Sequence, residues 1–346
     1  DVLRVTAVGV LEVEGVSEYE RISTEVMDPF TSAEYRQHGI TIERVHLTWA
    51  PVDWFNVIAG RFLTPYGIWN IDHGTPVVTT IRVPYLQLRE MVPLAQTGLQ
   101  VFGRLFPLSN LYFDYAVTFS NGRGAMDEVY DLDANKGVGV RLRLEYDGDP
   151  LRVAAGGYGY YGKVSDTKER LTIELDPATG TLDADAELPI RDEVIRVQDY
   201  DELAASADLL LELFGVRLQG EYVWRRWDVN VPSRRTESEA LFDGMAPGET
   251  AYAPGYLGWG AYGLLAYTLP LERWIGTVKI APYILYEVNR HDDTRPYQNL
   301  TTYIAGLNVQ PSPYVTLKVE GGIAVPQEDF LGGNLKNVAG QLAVSF

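Results

Sequence analysis

The stretch Leu335-Lys-Asn-Val-Ala-Gly-Gln-Leu-Ala-Val-Ser-Phe346 decides the fold of this chain, because its side chains alternate with a period of two. Such alternation is typical of a β-strand that has one apolar side and one small, polar side. The apolar face carries Val338, Gly340, Leu342, Val344 and Phe346, and the opposite face carries Asn337, Ala339, Gln341, Ala343 and Ser345.

Four internal segments repeat this alternation, namely 111–120, 136–146, 216–225 and 313–322. In 136–146, Val140 and Leu142 point one way while Arg141 and Arg143 point the other. Each segment is a weak signal, but its recurrence predicts an all-β chain in which every strand has one apolar and one polar face.

Composition narrows the class of protein. The chain has 346 residues, of which 46% are hydrophobic, and it contains no Cys. A mean hydropathy of −0.10 and the lack of any run of eighteen apolar residues exclude a helical membrane protein. A net charge of −18 argues against a nucleic-acid partner.

Connections rich in Gly, Pro, Asn and Asp separate the predicted strands, and short and long connections alternate. Short turns are predicted at 50–52, 107–110, 147–150, 214–215, 270–273 and 310–313. Long loops are predicted at 21–33, 64–95, 121–134, 163–199, 231–253, 290–298 and 324–334. This order predicts a single domain over 1–346, a transmembrane antiparallel up-and-down β-barrel of about 14 strands (12–16), with short periplasmic turns and long extracellular loops.

Two strands depart from regular alternation. The phase changes around Glu43–Arg44, which predicts a β-bulge there. Pro282 lies in mid-strand, where it removes a backbone donor, and a second bulge is expected at that position.

The terminal strand resembles the C-terminal signature of bacterial outer-membrane β-barrels, in which a final aromatic residue, here Phe346, is read by the barrel-assembly machinery. The resemblance implies a Gram-negative envelope and a place in the bacterial outer membrane. The apolar faces would then contact outer-membrane lipid and lipopolysaccharide, and the polar faces a water-filled lumen. Trp residues cluster beside the predicted turns and loops, as the two aromatic girdles of such barrels do.

The run Ala59-Gly-Arg-Phe-Leu-Thr-Pro-Tyr-Gly67 resembles the strand-to-loop element of the phosphate-selective porin (porin O and P) family. A Gly-x-x-x-x-Pro-Phe-Gly-like motif leads there from an early strand into a long loop. The resemblance implies a homotrimeric, substrate-selective diffusion pore. The chain differs from that family in its smaller strand count and in lacking a dense run of Arg or Lys in one loop.

Strand phase also assigns candidate pore residues. The inward faces carry a mixed, slightly basic set that includes the acids Glu287 and Glu320. The candidate pore-lining residues are Arg44, Arg104, Arg141, Arg143, Arg152, Arg217, Arg225, Lys279, Lys318, Glu145 and Glu221.

Segment 64–95 is too apolar for a solvated loop and too rich in Pro and Gly for a membrane strand. We expect it to fold into the barrel mouth and narrow the pore; the alternative is packing outward on a neighbouring subunit. The candidate constriction residues are Asp72, His73, Arg82, Arg89 and Glu90.

These features predict an outer-membrane porin, a passive diffusion channel for small hydrophilic solutes or ions, in which the basic wall residues set a mild ion preference. One alternative is a plugged or structural barrel that docks a partner protein. The other is an outer-membrane hydrolase, but the chain has four His and neither a Gly-x-Ser-x-Gly nor a His-Glu-x-x-His motif. We therefore expect no enzyme activity, no cofactor and no metal site.

Overall fold

The computed structural model describes residues 8–22, 34–70, 78–84, 86, 91–122, 135–170, 193–229, 255–270, 278–293, 299–328 and 333–344. Side chains of strand residues 8–22, 34–43, 164–170, 193–199 and 229 lie outside that description. The described residues form fourteen strands: β1 (Val8–Ile22), β2 (Glu34–Val52), β3 (Phe55–Leu63), β4 (Ala95–Leu108), β5 (Leu111–Ser120), β6 (Gly137–Asp147), β7 (Leu151–Arg170), β8 (Glu193–Leu213), β9 (Val216–Val229), β10 (Tyr256–Tyr267), β11 (Lys279–Arg290), β12 (Leu300–Ser312), β13 (Val315–Pro326) and β14 (Leu335–Val344).

The strands form one antiparallel sheet whose spatial order follows the sequence order from β1 to β14. Connections of two or three residues follow β2, β4, β6, β8 and β12, and longer connections follow the other strands. The β10–β11 connection, predicted as a short turn at 270–273, spans 268–278 and breaks the predicted alternation. The all-β up-and-down architecture and the count of fourteen are confirmed. The first turn is Asp53–Trp54, and the predicted turn at 50–52 is wrong. A register shift between Trp49 and Val52 lets β2 continue through Pro51.

The outer and inner faces invert the pattern of a soluble protein. Leu142 and Val338 are 48% and 83% exposed, whereas Arg225 and Glu320 are each 1% exposed. Water would not favour a surface of large apolar side chains around a charged interior, but a bilayer around an aqueous lumen does. In β14, exposure alternates with the phase predicted for residues 335–344. Among the described residues, no helix is long and apolar enough to cross a membrane.

The hairpin β7–β8 is longer than the sequence predicts. Residues 164–170 and 193–199 were assigned to the long loop 163–199, yet they pair across the hairpin as far as Arg170 and Glu193, with one register shift after Asp166. In these segments the few apolar residues, among them Val194 and Ile195, do not follow a period of two, so hydrophobic alternation does not indicate the strand extensions.

The two predicted bulges have different outcomes. Glu14 pairs with Arg44 and Gly15 with Ile42, so Glu43 is the extra residue of a bulge, as predicted. The prediction of a bulge at Pro282 is wrong, because Pro282 pairs with Leu307 and the β11–β12 register continues without a shift. The Ile280 carbonyl accepts from Leu269, so Pro282, two residues on, also directs its backbone towards β10. The paired β10–β11 register ends at Tyr283, and the missing N–H therefore breaks no paired bond.

Candidate functional site

Residues 64–94 connect β3 to β4, and we call their described part the docked loop. Its base is closed by hydrogen bonds: the Thr64 N–H donates to the Leu94 carbonyl at 2.9 Å. The Asn70 side-chain amide donates to the Thr64 carbonyl at 2.8 Å and to the Leu94 carbonyl at 2.7 Å. Both ends of the loop are thus tied together beside the sheet.

Apolar residues of the docked loop pack on the inward side chains of the sheet. Tyr66 and Trp69 are buried. The Tyr66 ring lies 4.9 Å from that of Tyr158 on β7, and the Trp69 ring lies 6.1 Å from that of Tyr262 on β10. The wider apolar cluster joins Leu86, Met91 and Val92 of the loop to strand residues Tyr160, Ala204, Val223, Leu264, Ala266, Tyr283, Leu285 and Ile304.

Three carboxylates on alternate strands hold the loop backbone. Glu221 on β9 accepts from the Ile68 N–H at 3.3 Å. Glu287 on β11 accepts from the Leu86 N–H at 2.8 Å, and Glu320 on β13 accepts from the Ile81 N–H at 2.9 Å. Hydrogen bonds to buried charged acceptors are stronger than those between neutral groups. Together with the Tyr66–Thr118 hydrogen bond at 2.6 Å to β5, these contacts join the loop to strands far apart in the sheet order.

Two glycines permit this close approach. Gly67 has φ +81°, and a Cβ there would collide with the Glu221 carboxylate. A side chain at Gly139 on β6 would collide with the Tyr66 hydroxyl. The Gly67 that completes the sequence motif therefore has a local reason: it admits a wall carboxylate to the loop backbone.

Cations complete the anchor at β13. Lys318 donates from Nζ to the Val78 carbonyl at 2.7 Å and to the Thr80 carbonyl at 3.2 Å. Arg82 in the loop lies with Nε 3.6 Å from Oε1 of Glu320. Burial lowers the pKa of the Arg82 guanidinium, and the Glu320 carboxylate opposes that shift.

The opposite wall is not covered by the loop. A cavity of about 780 Å³ lies between the loop residues Pro65, Gly67 and Ile68 and strands β2 to β7. Five arginines and the acids Asp53, Asp114 and Glu145 line it; the arginines are Arg44, Arg104, Arg141, Arg143 and Arg152. Arginine therefore outnumbers carboxylate in this lining, although the whole chain carries −18.

An alternating chain of charges runs from this cavity along the wall. Glu145 contacts Arg143 at 3.3 Å and Arg152 at 2.6 Å. Glu212 contacts Arg152 at 3.3 Å and Arg217 at 3.2 Å. Arg152 also lines a second cavity of about 450 Å³, with Arg217 and Lys279 in its wall. The two cavities therefore meet at Arg152.

The predicted pore-lining set thus divides into groups. Six residues line the first cavity (Arg44, Arg104, Arg141, Arg143, Arg152 and Glu145), and Arg217 and Lys279 line the second. Glu221 and Lys318 contact the docked loop instead. Arg225 is buried in an aromatic cluster, with its guanidinium carbon 4.4 Å from the Trp227 ring centroid.

Among the predicted constriction residues, Arg82 is described and lies against Glu320. Asp72, His73, Arg89 and Glu90 lie outside the described residues, as does the predicted assembly signal Phe346. Sequence phase placed Glu287 and Glu320 inward but did not identify them as acceptors for the loop. The one signal in the sequence was a loop with Tyr66 and Trp69 between Pro and Gly, which needs a surface to pack on.

No protein-family model matches this sequence. No curated protein matches it either. Among solved structures, the chain is similar to an anion-selective porin from Comamonas acidovorans, with a TM-score of 0.50 and 10% identity, over 89% of this chain and 75% of the other.

Two further solved structures are similar at lower scores. A loop-deleted form of OmpT, an outer membrane protein of Vibrio cholerae, has a TM-score of 0.48 and 12% identity over 96% of this chain and 85% of the other. Pseudomonas putida OprB has a TM-score of 0.47 and 10% identity over 88% and 72%. The chain has the antiparallel β-barrel fold of the outer-membrane porins.

Proposed function

We propose that this protein is a passive diffusion pore of the bacterial outer membrane, in which small hydrophilic solutes or ions pass beside the docked loop. The observation that carries the proposal is the arginine-lined cavity between that loop and strands β2 to β7. The inverted faces of the sheet support a lipid-exposed barrel with a hydrated interior. In this proposal the loop is part of a single barrel domain and narrows the pore.

The wall arginines support a mild anion preference. Charged rings close to a narrow path set ion selectivity more strongly than charges in solvated loops, where salt screens them. The similar porin from Comamonas acidovorans is anion-selective, which agrees with this preference. The resemblance to the phosphate-selective porins extends the proposal to phosphate as one permeant and to a homotrimeric assembly.

Single-channel recording in a planar bilayer tests the pore. We expect steady open current and, in a KCl gradient, a reversal potential on the anion side. Marked cation selectivity would contradict the role of the wall arginines, and a reversal potential unchanged by phosphate would remove phosphate as a permeant. Cross-linking in native membranes tests the trimer.

Silence in the bilayer would favour the alternative of a plugged or structural barrel with a docked partner. Esterase or protease activity that His73→Ala abolishes would favour a hydrolase. Adding detergent-purified chain to vesicles that contain a fluorescent anion separates these outcomes, because only a pore releases the dye without chemical change.

A further inference from the structure

We propose that the cavity between the docked loop and strands β2 to β7 binds an amphipathic organic anion, that is, a small ring or short hydrocarbon chain bearing one carboxylate. This ligand class rests on the proposed pore and would be a substrate class for it. The cavity has two unlike sides, and each suits one half of such a molecule.

One side of the cavity is apolar. Ile58 on β3 and Phe102 on β4 lie on its lining together with Phe62, and the loop adds Pro65 and Ile68. Asn56 and Gln100, two residues before Ile58 and Phe102, share their phase and also line the cavity. An apolar surface adds no binding free energy for inorganic ions or fully hydroxylated solutes. A hydrocarbon group, by contrast, binds more tightly when it moves from water onto this surface.

The other side is cationic and partly pre-organised. Arg141 is buried, and its guanidinium Nη1 lies 3.1 Å from Oδ2 of Asp208, which holds the side chain in place. Arg143, two residues on, contacts Glu145 through Nη2 at 3.3 Å. Guanidinium groups on a cavity wall are suited to carboxylate oxygens, which they bind through charge-assisted hydrogen bonds.

A polar group lies between the two sides. Gln100 is 8% exposed and lines the cavity. Its side-chain amide is one of the neutral polar groups of the lining. The volume of about 780 Å³ falls within the range of small-molecule sites.

The first test measures binding without requiring an open pore. The full chain in detergent micelles is titrated with sodium benzoate, sodium acetate, benzyl alcohol and benzylammonium chloride, and binding is followed by ligand-observed saturation-transfer NMR, with empty micelles as the blank. We expect benzoate to bind about tenfold more tightly than acetate, which lacks the ring, and than benzyl alcohol, which lacks the charge. Benzylammonium should bind least.

Two variants with matched controls locate the site. Phe102→Ala and Arg143→Gln should each weaken benzoate binding about fivefold or more, since they remove the ring contact and the carboxylate donor respectively. Phe119→Ala, on the outward face of β5, and Arg226→Gln, whose exposed side chain pairs with Asp228, should leave binding unchanged. Heat-modifiable migration on SDS gels identifies folded barrels, and only folded variants are compared.

The second test adds the same four probes to single channels in KCl. Benzoate should reduce the current at lower concentration than acetate, and the two cavity variants should relieve this block. Benzoate binding without any channel current would refute the proposed pore but support the proposed binding site. Open channels with equal binding of benzoate, acetate and benzylammonium, or with variants that match their controls, would refute the site and keep the pore.

Discussion

Replacing Glu320 with alanine should release residues 78–82 of the docked loop and raise the open-channel current. Glu320 accepts from the Ile81 N–H at 2.9 Å and lies 3.6 Å from Arg82 Nε. A hydrogen bond to a charged acceptor contributes about 1.5–3 kcal/mol, and leaving the partly buried Arg82 without its carboxylate costs a similar amount. We therefore expect docking of this segment to weaken by about 3–5 kcal/mol.

That loss changes the ratio of docked to released segment by about 10²- to 10⁴-fold. Glu221 and Glu287 still hold the loop nearer its ends, so the release is local. In single-channel records the variant should show a larger and noisier current than the wild type. The control is Glu328→Ala, the same change at an exposed position just after β13. Identical current and noise for Glu320→Ala and wild type would show that this contact does not control the pore.

Three further changes test the fold and the loop. Gly60→Ala should lower folding stability by about 1–3 kcal/mol, because Gly60 has φ +131° and a Cβ there would lie 2.8 Å from the His46 Cα. Urea titration in vesicles measures the free energy of unfolding. The control Gly263→Ala, where a Cβ meets no atom within 4 Å, should leave it unchanged. Val338→Lys, on the outward face of β14, should cost about 1–3 kcal/mol in the same titration, whereas Ala339→Lys on the inward face should cost much less; equal costs would contradict the assigned phase. Tyr66→Ala should weaken docking of the loop by about 3–5 kcal/mol, because the ring packing and the hydrogen bond to Thr118 are lost. Trypsin should then cleave faster at Arg82, and Tyr161→Ala on the outward face is the control. An unchanged cleavage rate would show that Tyr66 does not anchor the loop.

Strand phase could be predicted from the sequence because a period of two is a local property. Val140 lies on the exposed outer face of β6 and Arg141 on its inner face, and the apolar or charged character of each residue indicates its face. The bulge at Glu43 was predictable for the same reason. The strand extensions 164–170 and 193–199 were not predicted, because their apolar residues do not alternate with a period of two.

Contacts of the loop depend on which strands lie opposite one another, and this information is not local. Ile68 and Glu221 are separated by 153 positions, and Ile81 and Glu320 by 239. The apolar character of 64–95 showed that the loop needs a surface to pack on, but not which wall it covers. That choice decides which predicted pore-lining residues face open space and which become anchors.

The location of charge matters more here than its sum. Glu221, Glu287 and Glu320 are buried and accept from backbone N–H groups of the docked loop, and Glu320 also contacts Arg82 of the loop. None of the three is among the residues that line the cavity of about 780 Å³. Their negative charge is therefore satisfied locally, by donors that the loop supplies. The arginines of β2, β4, β6 and β7 face the uncovered side. Four of these five arginines also contact a carboxylate: Arg104 contacts Asp114, Arg141 contacts Asp208, and Arg143 and Arg152 contact Glu145. In the proposed pore, the lining of the uncovered side therefore carries five arginines and three carboxylates although the chain has a net charge of −18, because the docked loop covers three wall carboxylates.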